Sequence, residues 1–252
     1  MMFTAAELIL IAAISFFAAL AQGATGFGFA IIALPLLLGV MGSLDAVGLT
    51  IILNLLVSLV LAPGLWRQAP KAPLVRLSLG SILGFPIGLA IFLHASLDAV
   101  RLAVGLIILS LAAWLVLSRR PGALKMRPAG GWLAVPVGII SGAMATSLAM
   151  PGPSVMLYLA ASGMAKLPLR ATTLCLFTLS YAAALALQAA AGAIGAAIWQ
   201  TVALAAAPTV LGAVVGHRLS SRLDENRFRS IILAILLATG SYTTFTAILI
   251  GL

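Results

Sequence analysis

Gln22-Gly-Ala-Thr-Gly-Phe-Gly-Phe29 and Ala149-Met-Pro-Gly-Pro-Ser154 each cut a long apolar run in mid-membrane, at similar places in two similar halves of the chain. Glycine and proline at such places break a helix and expose backbone N–H and C=O groups that lipid cannot satisfy. Paired breaks of this kind are the best pointer in a sequence to a transporter's substrate site, because irregular backbone at membrane depth is tolerated only where it lines a cavity or is buried in protein.

The surrounding composition fits that reading. Of 252 residues, 63% are hydrophobic and 8% charged, too little polar surface for a soluble domain of this size. Apolar runs of spanning length recur to the last residue, so the chain is expected to be one membrane domain, residues 1–252. The net charge of +9 comes from lysines and arginines in short connections, where anionic headgroups explain them without a nucleic-acid partner. The single cysteine, Cys175, lies in an apolar run and is expected to pack there, and neither a disulfide nor a metal set is available. Residues 1–23 resemble a signal peptide in their apolar core, but they carry Glu7 and no basic residue, so a retained helix is expected.

The hydropathy pattern predicts two sets of helices, giving eight to ten helical segments in all. The first set is 5–21, 27–41, 45–63, 74–93 and 99–117; the second is 131–146, 152–163, 169–190, 195–215 and 228–250. A basic stretch bracketed by prolines, residues 119–129, reads as a linker between repeat 1 (1–118) and repeat 2 (130–252). A shift of 128 residues lays Pro208, Gly212 and Gly216 on Gly80, Gly84 and Gly88, and Arg229 on Arg101, the mark of a duplication. Gly80, Gly84 and Gly88 read as a close-packing helix face.

Topology follows from charge. A straight helix from Ala5 to Met41 would be about 55 Å long, against a hydrocarbon core of about 30 Å. If this segment and its counterpart each crossed only once, the basic loops would fall on opposite faces. If each break is instead a hairpin that returns to its starting side, Arg67, Lys71, Arg76, Arg119, Arg120, Lys125, Arg127, Lys166, Arg170, Arg218, Arg222, Arg227 and Arg229 share one face, with Arg101 alone opposite. That face is then cytoplasmic. Each half contributes a hairpin plus three crossings, an odd number, so the fold class is an all-α polytopic membrane protein of two inverted repeats with both termini periplasmic. Whether the hairpin helices span fully or are re-entrant is left open by the parity.

A new helix N-terminus presents unpaired N–H groups and about half a positive charge, which suits an anion without intramembrane Lys or Arg. Gly26, Phe27 and Gly28 would supply one such end, with Gln22 and Gly23 beside it; Gly152, Ser154 and Val155 would supply the other, with Pro151 and Pro153 beside them, where a missing N–H costs little. Thr25, Thr146, Ser147 and Ser154 are candidate hydroxyl donors, although such side chains also bond their own helices. Asn54, the most polar residue deep in a crossing, either lines the site or joins helices; Gln188 lies nearer a helix end and is left out. Glu7, Asp45, Asp98, Asp224, Glu225, His94 and His217 all fall near helix ends, which gives no proton relay, no metal site and no catalytic set for an enzyme. Asp98 and Arg101 are expected to pair locally or to cap a helix.

The stretch from Gln22 to Ala30 followed by Leu34-Pro35-Leu-Leu resembles the first-half signature of the TauE/SafE family of sulfite exporters and putative permeases. Ser141-Gly-Ala-Met-Ala-Thr146 and Pro151-Gly-Pro-Ser-Val-Met-Leu-Tyr158 resemble its second-half signature, although relatives tend to be richer in glycine before the Gly-Pro pair than Ala149-Met-Pro151. The resemblance implies a bacterial inner-membrane transporter for sulfite, sulfonates or related organic anions, with no cofactor. The partners are then the small anion and the lipid bilayer; the oligomeric state is not given. Export is the first reading, and uptake or a non-transporting subunit or assembly factor are the alternatives.

Overall fold

The computed structural model describes residues 3–117 and 131–220, together with Leu237, Gly240, Ser241, Thr244 and Phe245. Among them the fold is helical throughout, in nine helices: α1 (Ala5–Thr25), α2 (Phe29–Met41), α3 (Asp45–Leu61), α4 (Lys71–His94), α5 (Leu97–Leu117), α6 (Ala134–Leu148), α7 (Gly152–Ala161), α8 (Lys166–Ala190) and α9 (Ala196–Leu219). A 3-10 turn, Trp66–Gln68, leads into α4. The linker 119–129, most of the expected helix 228–250, and Arg119, Arg120, Lys125, Arg127, Arg222, Asp224, Glu225, Arg227 and Arg229 lie outside the described residues. Gly240 and Thr244 lie against α5, at Ile108 and Gly105.

Among the described residues, five helices are long and apolar enough to cross a membrane: α1, α4, α5, α8 and α9. The protein is therefore a multi-pass membrane protein. The four others have 10 to 17 residues, and at 1.5 Å per residue α7, with 10 residues, is only about 15 Å long. The helix pairs flanking the two breaks thus differ. α1 has a full spanning length before its break, whereas α6 and α7 are both short.

Local chemistry explains the ends. Thr4 and Glu7 form a capping box on α1, with the Glu7 N–H donating to Thr4 Oγ1 (3.3 Å) and the Thr4 N–H to Glu7 Oε2 (2.8 Å). Glu7, the acidic residue of this segment, thus serves the helix cap. Arg101 pairs with Asp98 at 3.3 Å, as expected, and also donates to the Leu38 carbonyl in the last turn of α2.

The helices pack as two groups, and each group draws on both halves. α1, α2 and α3 pack together with α9; α6, α7 and α8 pack together with α4; the main contact between the groups is α3 against α8. The exchange of α4 and α9 is made possible by glycine. A Cβ on Gly80, Gly84 or Gly88 would overlap the carbonyl oxygens of Val135, Ile139 and Ala143 on α6. A Cβ on Gly212 or Gly216 would overlap those of Phe16 and Leu20 on α1. Lipid tails are as apolar as the helices and give no hydrophobic drive to associate, so helices in a membrane gain by bringing backbones close, and at these positions only glycine allows the approach. The outward face of α4 carries Val75, Leu79, Ile82, Leu83, Ile87 and Ile91, all exposed, so the helix is apolar toward lipid and small toward its partner. Cys175 is buried among apolar neighbours in α8, the packing role expected of it.

Candidate functional site

The unwound parts of the breaks are shorter than the sequence motifs. Gln22, Gly23 and Thr25 belong to the last turn of α1, and Thr146 and Ser147 to the last turns of α6. The backbone leaves the helix only at Gly26–Gly28 and at Ala149–Pro151. Gly26 (φ 89°) and Gly28 (φ 112°) are in the left-handed region, where glycine alone is unstrained. Ala149 is the one other such residue among the described non-glycines, at φ 53°, a conformation that costs about 1–2 kcal/mol with a Cβ.

What holds Ala149 there also joins the two breaks. The Phe29 N–H, in the first turn of α2, donates to Gln22 Oε1 (3.1 Å). Gln22 Nε2 donates to Asn54 Oδ1 (2.7 Å), and Asn54 Nδ2 donates to the Tyr181 hydroxyl (2.6 Å). That hydroxyl donates to the Ala149 carbonyl (3.0 Å). Every donor points the same way along this chain, so each bond polarises the next. Gln22, Asn54 and Tyr181 are at most 1% exposed. Asn54 on α3 and Tyr181 on α8 meet where the two helix groups touch.

Hydrogen bonding sorts the hydroxyl candidates. Thr25 Oγ1 donates within its own turn, to the Ala21 and Phe27 carbonyls. Thr146 Oγ1 donates to the Phe85 carbonyl on α4 (2.9 Å), and Ser147 Oγ to the Ala143 carbonyl of its own helix (2.7 Å). Ser154 is different: its Oγ, in the first turn of α7, is buried and has no partner.

The backbone donors sort as well. The Gly26 N–H bonds the Gln22 carbonyl and the Phe27 N–H bonds Thr25 Oγ1, so both are engaged within the turn. The first helical bond of α2 runs from Ile32 N–H to Gly28 O, which leaves the N–H groups of Gly28, Ala30 and Ile31 ahead of it without a helical acceptor. A Cβ at Gly28 would meet nothing within 4 Å, so the backbone there faces open space. In α7 the N–H groups of Gly152 and Ser154 open the helix, and Pro153 falls where its missing N–H costs little. The Pro151 carbonyl accepts from Ser141 Oγ (2.8 Å). Phe177 packs over Gly152, 3.1 Å from where a Cβ would sit.

Two residues at the breaks were not singled out by sequence reasoning. Tyr181 is one; a phenol deep in an apolar span, which must find a hydrogen-bond partner, was the available signal. Arg170 is the other. Sequence reasoning grouped it with the cytoplasmic loops, but it lies one turn inside α8, 7% exposed, with its aliphatic stem against Gly26. Its guanidinium donates to the Gly23 carbonyl, to Ser220 Oγ (3.2 Å) and to His217 Nδ1 (2.7 Å). Gln188, set aside on sequence grounds, donates to the Thr146 carbonyl (2.8 Å), beside the second break. Among the described residues no carboxylate is buried, and no group of His, Cys, Asp or Glu could hold a metal.

No curated protein and no solved structure matches the chain. The family model described as sulfite exporter TauE/SafE matches residues 11–243, nearly the whole length and both breaks. A membrane protein of paired helix breaks, with this match across both of its halves, belongs to the sulfite exporter TauE/SafE family.

Proposed function

We propose that this protein carries sulfite, an organosulfonate or a related small organic anion across the bacterial inner membrane, at a site between the two breaks. Membership of the family supports the class of cargo. The observation that carries the placement is that α2 and α7 both begin at breaks tied to each other by the buried chain from Phe29 through Gln22, Asn54 and Tyr181 to Ala149. Two helix N-termini then offer positive dipole ends and free N–H groups to one anion. Ser154 Oγ is the side-chain donor in reserve.

The halves are read as inverted repeats within one membrane domain, with the basic face cytoplasmic. The exchange of α4 with α9 supports this, because α4 on α6 and α9 on α1 are the same packing in corresponding positions of the two halves. Export is the favoured direction. An anion leaving a cell whose interior is negative gains about 2.3 kcal/mol per charge for each 100 mV. The described acidic residues Glu7, Asp45 and Asp98 all sit in first helical turns, away from the breaks.

Thermal-shift titration of the detergent-purified chain with sulfite, methanesulfonate and acetate tests the site. Ser154→Ala removes an unpartnered hydroxyl, so it is expected to leave the unliganded melting temperature unchanged and to weaken binding at least about tenfold, the worth of one hydrogen bond to an ion. Gly28→Leu and Gly152→Leu should abolish binding. Wild-type affinity in all three variants would refute the placement. Net efflux of the anion from proteoliposomes that is indifferent to an imposed potential would argue against potential-driven export.

A further inference from the structure

Two sets of hydrogen bonds between described residues join the two helix groups. One is Asn54 to Tyr181, at their centre. The other is Arg170 on α8, which reaches Gly23 on α1, His217 on α9 and Ser220 just beyond it. Arg170 is unusual as a buried charge. Its acceptors among the described residues are neutral: a carbonyl, a hydroxyl and an imidazole nitrogen. No described carboxylate pairs with it, and its buried Nε–H has no acceptor among the described residues. A guanidinium taken out of water without a counter-anion is costly, and the C-terminal dipole ends of α1 and α9 offset only part of that cost.

The position matters as much as the charge. Arg170 donates to the Gly23 carbonyl and lays its stem on Gly26, so it lies at the first break, where the amides that open α2 have no helical acceptor. An oxyanion offers what is missing, two oxygens for a planar fork that includes Nε–H.

We propose that Arg170 is the charged anion-binding residue of the transport site, and that the anion binds by exchanging with the neutral acceptors seen here. Sulfite or sulfonate oxygens would take Nε–H and Nη2–H, in competition with Gly23 and His217, which share Nη2, while Ser220 holds the other terminal nitrogen. Because Gly23 and His217 hold α8 to α1 and α9, occupancy of Arg170 loosens the connection between the two helix groups at this end. Binding and opening are thereby coupled through one side chain. The assignment rests on the reading of the breaks as an anion site and adds the charge that site otherwise lacks.

The test is titration of the purified full-length chain with sulfite and with methanesulfonate, for wild type and four variants. Arg170→Gln should weaken binding at least about tenfold and Arg170→Lys by less, since lysine keeps the charge and loses the fork. His217→Phe removes a competing acceptor and should tighten binding by about two- to fivefold, even as it lowers the unliganded melting temperature, whereas Ser220→Ala acts on the other terminal nitrogen and should leave affinity unchanged. A purely structural arginine predicts for His217→Phe the same loss of stability with no gain in affinity. Should Arg170→Gln fail to fold, the sign of the change in His217→Phe and Arg170→Lys decides. Unchanged or weaker binding in His217→Phe, or wild-type affinity in Arg170→Gln, overturns the role of Arg170 and leaves the break site standing. A wild type that binds neither anion overturns both.

Discussion

Tyr181→Phe removes a single oxygen and leaves the ring in place against Phe177, whose centroid is 5.8 Å away. Two buried partners are then stranded: Asn54 Nδ2, 2.6 Å from the hydroxyl, and the Ala149 carbonyl, 3.0 Å from it. An unmet buried polar group costs about 1–3 kcal/mol in soluble proteins, whereas interhelical hydrogen bonds in membranes average about 0.6 kcal/mol because the unfolded chain in lipid also finds partners. Taking about 1 kcal/mol for each of the two bonds, Tyr181→Phe should destabilise the fold by about 2 kcal/mol. The assay is unfolding in mixed detergent micelles, run as a double-mutant cycle with Asn54→Leu. With Asn54 already replaced, phenylalanine at 181 strands only the Ala149 carbonyl, so the double variant should be about 1 kcal/mol more stable than the sum of the singles. Additive losses would mean that Asn54 and Tyr181 do not share a bond, and the chain between the breaks would be refuted.

Glycine packing gives a paired prediction. Gly84→Ala and Gly212→Ala each drive a Cβ into a backbone carbonyl, of Ile139 and of Phe16, where no side chain can move aside; each should cost about 2–3 kcal/mol. Gly195→Ala, with nothing within 4 Å of the new carbon, should change the melting temperature little; equal stability of all three variants would sink the exchange of α4 and α9. For topology, a thiol at Ser43, in the connection between α2 and α3, should react with a membrane-impermeant reagent from outside the cell. Labelling only from the cytoplasmic side would overturn the orientation read from the arginines.

Much of the fold is legible along the chain because lipid imposes a local rule. A span must be apolar and must satisfy its own backbone, so helices α1 to α9 stand close to the segments the hydropathy pattern gives, and the breaks stand where glycine and proline interrupt it. Their ends moved by a few residues, since Gln22 to Thr25 continue α1 and Thr146 to Leu148 continue α6. The glycine ladder at Gly80, Gly84 and Gly88 was readable as a packing face, but its partner was not. Nothing in a spacing of four says whether the facing backbone is α6 or a neighbour in the same half.

The candidate site divides in the same way. Gln22 and Asn54 were visible because an amide in an apolar run is conspicuous, and Ser154 because it opens a helix. Among the hydroxyls, the sequence could not separate Ser154 from Thr25, Thr146 and Ser147, since a free oxygen and one that bonds its own turn are spelled alike. Arg170 was counted correctly as a charge and taken for a loop residue, because one helical turn of depth does not alter the composition around it.

By itself the sequence determined that this is a helical membrane protein with two breaks in corresponding places and basic connections, since hydropathy, helix-breaking chemistry and charge act over one span or less. Only the tertiary structure decided which groups meet. Asn54 and Tyr181 are 127 residues apart, and Gly23 and Arg170 are 147 apart. Such pairs depend on which helix groups pack together, and that follows from backbone approach at glycines of α4 and α9 rather than from any periodicity in the chain.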